Sequence, residues 1–387
     1  KCAMPTSANR PDWDIFCRVI DNFGDIGICW RLARQLIREH RLSVRLWVDD
    51  LQTFKVLCPA VVPERERQTI SDIDLRRWDD SFPDVVPGHV VLETFACHLP
   101  AAYIERMASL VPPPIWINLD YLSAEEWVSG CHALPSPHPR LPLSKYFFFP
   151  GFSVETGGLL REDDLAQRRA EFVTDPGRQT EFWQFLGQPA PEPGVRRVSL
   201  FAYDNPALPA LLQSWEKSGQ PVCCLAPAPP GQQTIDVAYN GLPMRAGECF
   251  RRGALEFRRL PFLEQERYDQ LLWSCDVNFV RGEDSFVRAQ WAARPLIWHI
   301  YPQAENAHWV KLDAFLARYA SGLPMATQNI LSRFWHAWNS AHFTGDEWNE
   351  LLAETGRLTR HAERWQQRLL ALPDLVSSLL RFARSKI

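Results

Sequence analysis

At 387 residues the chain exceeds what one core usually organises, and about 150 residues per domain suggests two or three domains, of which two is the preferred reading. Its 46% hydrophobic and 23% charged residues, with a net charge of -4, exclude a disordered chain and the basic field that holds a nucleic-acid backbone. No apolar stretch approaches the roughly 18 residues that span a bilayer, so neither membrane nor nucleic acid is expected as a partner.

Elements then follow in chain order. The apolar, β-branched run from Trp13 to Ile20 predicts a strand, and Ile28, Leu32, Leu36 and Ile37 recur at helical spacing over 28–40. Further strands are expected at 43–50, 89–96 and 113–123. Helical segments between them argue for βαβ units and a parallel sheet. After Phe148 the texture turns glycine-rich, and "FLGQPAPEPGVRR" (185–197) reads as an interdomain linker, which puts a boundary near residue 188. A second α/β series begins with the strand 196–203. It continues through a helix at 210–219, strands at 220–228 and 255–263, a helix over 264–275, and a strand, loop and helix across 276–293. A strand at 294–302 closes it. The expected division is 1–188, 189–350, and helices over 351–387 that pack back across the junction.

The ten cysteines are scattered with no C-x-x-C pair, and read as buried thiols in a reducing cytoplasm. The start "KCAMPTSANRP" lacks the apolar core of a secretion signal, which agrees with a cytoplasmic location. Most of the 16 tryptophans read as core. "DWD" (12–14) and "DID" (72–74) have the form of a D-x-D metal motif, but such short patterns arise by chance among 46 acidic residues, and no metal is expected. His299, inside "PLIWHIY", reads as a satisfied buried histidine rather than a ligand.

Ligands of open α/β sheets bind beyond the carboxyl ends of strands, where first-turn N–H groups of helices face outward. Each half has one loop of this kind. In the first, "VIDNFGDIG" (19–27) lacks both phosphate-binding glycine fingerprints, and its two aspartates would repel an anion. Asp21 and Asp25 are therefore candidates for acid–base work or for binding a cation or hydroxyl, against the plainer role of forming a turn. In the second, Glu283, Asp284 and Ser285 stand at a helix start, where Asp284 or Ser285 caps the helix or the backbone holds a diphosphate.

Longer motifs then carry a resemblance. "DNFGDIG-x-x-W-R-L-A-R" (21–34), "ETFA" (93–96), "LSAEEW" (122–127), "FFPGFSxxTGGLLRE" (148–162), "RGEDSFVRAQ" and "WHIYPQxEN" (281–306) together resemble the EarP family of protein-arginine rhamnosyltransferases. The resemblance implies a GT-B glycosyltransferase, with two Rossmann-like domains facing across a cleft. It would move L-rhamnose from dTDP-β-L-rhamnose to an arginine of translation elongation factor P, with inversion and without metal or cofactor. It implies Asp25 as the catalytic aspartate, Asp21 as its supporting carboxylate, and Glu283 as a third catalytic residue. The donor would be held by Tyr203, Phe262, Gln265, Glu283, Asp284 and Ser285. The alternatives are a transferase acting on a small molecule or glycan, and a non-catalytic sugar-nucleotide-binding regulator.

Overall fold

In the computed structural model, residues 10–386 are described apart from 22, 80, 229–243 and 341. The chain forms two compact units that divide between Asp163 and Asp164, and the segment from Leu372 onward returns to the first unit. Each unit is built on a largely parallel sheet.

The first sheet contains β1 (Trp13–Cys17), β2 (Val44–Val48), β3 (Arg67–Ile70), β4 (Ile73–Arg77), β5 (Val90–Thr94), β6 (Ile115–Leu119), β7 (Leu134–Pro137) and β8 (Ser144–Phe148). Their order is β3-β4-β2-β1-β5-β6-β8-β7. The interior pairings are parallel, and only the edge strands β3 and β7 run antiparallel to their neighbours. Every residue of β1, β2 and β5 is buried, which is why these strands read as mainly apolar runs, broken only by Asp14, Arg45, Glu93 and Thr94. From β1 the chain winds outward one way through β2 and β4, then returns to place β5 on the other flank. The loops after β1 and β5 therefore meet at a topological switch point, where such sheets bind ligands.

The second sheet contains β9 (Arg196–Leu200), β10 (Val222–Pro227), β11 (Cys249–Arg252), β12 (Leu255–Leu260), β13 (Val277–Arg281) and β14 (Leu296–His299), in the order β11-β12-β10-β9-β13-β14. Only β11 is antiparallel. Its switch point lies between β9 and β13. The tryptophans expected in the core are there: Trp47 in the first unit, and Trp215, Trp335, Trp338 and Trp348 in the second, are fully buried.

The domain boundary differs from the expectation near 188. The helices Leu165–Thr174 and Pro176–Phe185 pack on the helix Gln265–Ser274 of the second unit, with Phe172 against Trp273 at 5.6 Å and the Arg267 guanidinium over the Phe185 ring at 4.3 Å. Arg169 Nε also donates to the carbonyl of Ala292 at 2.8 Å. The Pro/Gly stretch that reads as a linker is thus a loop within that unit, where Gln188 Nε2 donates to Gly247 O and Arg258 donates to Pro189 O.

The C-terminal helices also divide differently from a single 351–387 block. Thr355–Leu370 packs within the second unit, where Trp365 Nε1 donates to Gln290 Oε1 at 2.7 Å and Gln366 Nε2 to Trp291 O at 2.6 Å. Leu375–Arg384 belongs to the first, where Phe382 meets Tyr146 and Phe148, and Leu375 N donates to Leu159 O at 2.9 Å. That return depends on Gly158, whose φ of 74° and approach to the Pro373 carbonyl leave no room for a Cβ.

Among the described residues, no helix is long and apolar enough to cross a membrane. The cysteines are free among the described residues, but not all are buried: Cys249 lies exposed on an edge strand, and Cys58 and Cys131 are half-buried.

Candidate functional site

The loop after β1 runs straight into the helix Gly24–His40, which begins earlier than the apolar spacing predicts. Asp25 therefore sits in the first helical turn rather than in the loop, where a carboxylate favours the helix dipole. It is 2% exposed. Its Oδ2 reaches back and accepts from the backbone N–H groups of Ile20 and Asp21, both at 2.9 Å. Part of the plainer turn-forming role is thus real, because Asp25 fastens the loop that precedes it. Burial pushes its carboxyl above the ordinary aspartate range, against the pull of the two N–H groups and of the Tyr121 hydroxyl that bonds it, and the Asp49 carboxylate adds to the upward push. Asp49 in turn accepts from Val19 N at 2.9 Å and faces Arg18 at 3.9 Å.

Asp21 is half-buried, and its carbonyl accepts from Gly24 N at 2.7 Å. A Cβ on Gly24 would come within 2.8 Å of Asp21 Oδ2. Gly24 is thus the residue that lets the Asp21 carboxylate lie against the helix start. The Gly24→Ala variant should fold at least as well, since alanine favours the helix by about 1 kcal/mol. It should displace Asp21, leaving a folded protein with reduced turnover in a mass-spectrometric transfer assay. Unchanged turnover would take Asp21 out of the site.

In the second unit the expected donor residues come together at the β9/β13 switch point. Ser285 does not cap its helix. Its Oγ folds back, accepting from Arg281 N at 3.0 Å and donating to Arg281 O at 2.5 Å, which locks the turn between β13 and the helix Asp284–Ala292. Nor does Asp284 cap it: Asp284 is the first helical residue, and its Oδ2 accepts from Gln265 Nε2 at 3.4 Å. The cap position falls to Glu283, whose side chain makes no cap hydrogen bond. First-turn N–H groups consequently lack a side-chain cap, the arrangement that suits an anion.

Tyr203 and Phe262, both half-buried, join this turn through residues that sequence reasoning left without a role. The Arg281 guanidinium lies over Phe201 at 4.2 Å and Tyr203 at 4.8 Å, and donates to Ala202 O at 3.0 Å. Phe201 meets Phe262 at 6.4 Å, and Tyr203 meets Tyr301 at 5.5 Å and His299 at 5.3 Å. His299 is buried as expected but not satisfied, since its Nδ1 meets no hydrogen-bond partner among the described residues, and burial with the Arg281 charge pushes its imidazole down to about 3, so the ring is neutral. Arg281 stood inside the quoted "RGEDS", but nothing in the spacing says that it would clamp rings from the end of β9.

The two D-x-D patterns are structural. Asp14 is fully buried by Arg45, Trp47, Tyr103 and Gly88. Asp12 bonds Ser43, and Asp74 pairs with Arg67 and Arg76. Among the described residues, no three His, Cys, Asp or Glu side chains gather as a metal site would require.

The family model described as Elongation-Factor P (EF-P) rhamnosyltransferase EarP matches residues 13–384. The protein-arginine rhamnosyltransferase of Pseudomonas putida is 48% identical over 98% of this chain and 100% of its own, and that of Shewanella oneidensis is 37% identical over the same shares. A solved structure described as the structural basis for EarP-mediated arginine glycosylation of translation elongation factor EF-P is similar at a TM-score of 0.70. It is 36% identical and covers 98% of this chain and 100% of its own. A glycosyltransferase from Rickettsia africae, 9% identical at a TM-score of 0.51 over 97% of this chain and 98% of its own, shares the fold. The doubly wound sheet pair is that of GT-B glycosyltransferases. The chain is an enzyme that belongs to the EarP family of rhamnosyltransferases.

Proposed function

We propose that this enzyme transfers L-rhamnose from dTDP-β-L-rhamnose to one arginine side chain of translation elongation factor P, inverting the anomeric centre, with no metal or other cofactor. The supporting observation is the buried Asp25 carboxylate at the switch point of the first sheet, in a chain whose relatives are named protein-arginine rhamnosyltransferases. For ordinary values, full proton transfer from a guanidinium near 13 to an aspartate near 4 is uphill by roughly 12 kcal/mol. Deprotonation as a separate step before attack would consume most of an ordinary enzymatic barrier and is therefore disfavoured. Burial of Asp25 raises its basicity and narrows the gap without closing it.

The proton accordingly moves as the bond forms. The guanidinium nitrogen attacks the anomeric carbon while the bond to the diphosphate oxygen breaks, the bonding pair leaves with the diphosphate, and Asp25 takes the proton. Asp21 orients the guanidinium by charge-assisted hydrogen bonding. The leaving diphosphate is received by the first-turn N–H groups at Asp284 and Ser285. Phe262 and Tyr203 flank the thymidine, with Gln265 beside them. Glu283, which cannot donate to phosphate while ionised, holds a sugar hydroxyl. Protonating Asp25 stops the reaction, so the acidic limb of the rate profile should lie above the ordinary aspartate range.

The test is incubation with elongation factor P and dTDP-rhamnose, followed by intact mass and peptide mapping. Addition of one deoxyhexose to one arginine is expected; donor binding without transfer would support a regulator instead. Removing the hydroxyl that locks the donor turn, by Ser285→Ala, should weaken calorimetric donor affinity about tenfold, the loss of one to two hydrogen bonds. Wild-type affinity would move the diphosphate elsewhere.

A further inference from the structure

Three residues after β5 adopt a backbone that side chains rarely take: φ is 54° at Phe95, 52° at Ala96 and 56° at His98. None is glycine, and Phe95 is a bulky side chain in the left-handed region, an outlier that persists only where the surroundings over-determine it. They do so here. Phe95 N donates to Leu119 O at 2.7 Å, Ala96 N to Asn118 Oδ1 at 3.2 Å, Cys97 N to Thr94 O at 3.1 Å and His98 N to Glu93 Oε1 at 3.1 Å. Glu93 and Asn118 are fully buried. The other oxygen of Glu93 is fixed by Trp116 Nε1 at 2.9 Å and Lys145 Nζ at 3.2 Å.

The forced turn presents one ring. Phe95 stacks on Tyr121, centroids 4.4 Å apart and planes within 17°. Tyr121 follows β6, its N–H donates to Asp120 Oδ1 at 2.8 Å, and its hydroxyl bonds Asp25. The ends of β1, β5 and β6 thus converge on a single carboxylate.

We propose that Tyr121 is a positioning residue for Asp25, and that the strained turn at Phe95 and Ala96 exists to press Phe95 against Tyr121 and fix its hydroxyl on that carboxylate. The proposal rests on the reading of Asp25 as the proton acceptor. A carboxylate that must take a proton from a guanidinium during bond formation has to keep one lone pair in line, and a stacked phenol together with two backbone N–H groups leaves it little freedom. The charged and titratable groups around Asp25 are the Cys17 thiol of β1, the Asp49 carboxylate after β2 with its partner Arg18, and the Tyr121 phenol after β6.

Tyr121→Phe removes one oxygen and keeps the stack. It should lower kcat for arginine transfer about tenfold. The KM for donor should stay unchanged, and the acidic limb should move to higher pH, because the ionised carboxylate loses a donor. Phe95→Leu should act in the same direction, and Phe95→Tyr, which keeps a flat ring, should restore most of the loss. Melting temperatures report whether each variant is folded, and Tyr121→Phe decides the matter if Phe95→Leu is not. A Tyr121→Phe enzyme with wild-type kcat and an unmoved acidic limb would overturn the proposal. The carbon-13 titration of the Asp25 carboxyl separates the two layers. It should shift upward in Tyr121→Phe whether or not Asp25 is the base, whereas wild-type transfer by Asp25→Asn would remove the base assignment alone.

Discussion

Asp25→Asn should reduce transfer to arginine by roughly 100- to 10,000-fold, the usual worth of a positioned general base. The substitution is close to isosteric, and the amide oxygen of the introduced asparagine can still accept from the N–H groups of Ile20 and Asp21, so the loop after β1 keeps its fastening. What is lost is the negative charge that holds a guanidinium and the site that receives its proton. The fold should not suffer, because a buried carboxylate that resists ionisation is replaced by a group with nothing to ionise. Time courses by intact mass, with donor affinity and melting temperature measured beside them, give the result. Turnover near the wild-type rate would remove Asp25 from the base role.

Asp14→Ala should be the opposite kind of variant, destabilising the first unit while saying nothing about chemistry. Asp14 receives Arg45 Nε at 2.5 Å and Nη2 at 2.7 Å, Gly88 N at 2.6 Å, the Tyr103 hydroxyl at 2.5 Å and Trp47 Nε1 at 3.1 Å. Removing it strands the buried Arg45 and several donors together, which costs about 3–5 kcal/mol. The urea midpoint should fall accordingly, and chelators or added divalent cations should leave it unmoved. A variant with the wild-type midpoint would contradict this account of "DWD" as a structural motif.

The reasons some features are legible in the sequence and others are not are physical. β1, β2 and β5 lie inside a parallel sheet and are rich in apolar and β-branched residues, which is what declares them, although each also buries a charged residue, Asp14, Arg45 and Glu93. The edge strands β3, β7 and β11 show no such pattern: β7 is exposed along its whole length, and its prolines argue against a strand. The boundary near 188 misleads because a Pro/Gly stretch looks the same in a linker and in a surface loop. Only the docking of Phe172 on Trp273 tells them apart. The helix start at Gly24 is hidden by two glycines whose propensity is poor, and of these Gly24 stands beside Asp21, where the space requires a small residue. The six residues proposed for the donor side could be named from the sequence because the family resemblance carried them, and the structure gathers them around one turn. Arg281, Phe201 and Tyr121 could not, since what sets them apart is contact with residues that follow other strands.

The configuration of the product tests the central claim most directly. Rhamnosylated elongation factor P from a complete turnover, examined by NMR at its anomeric carbon, should carry the sugar in the α configuration, because attack by arginine with Asp25 as base displaces the β-linked diphosphate from the opposite face. Retention of the β configuration would contradict a single displacement from the opposite face, and with it the role of Asp25 as the base of an inverting attack.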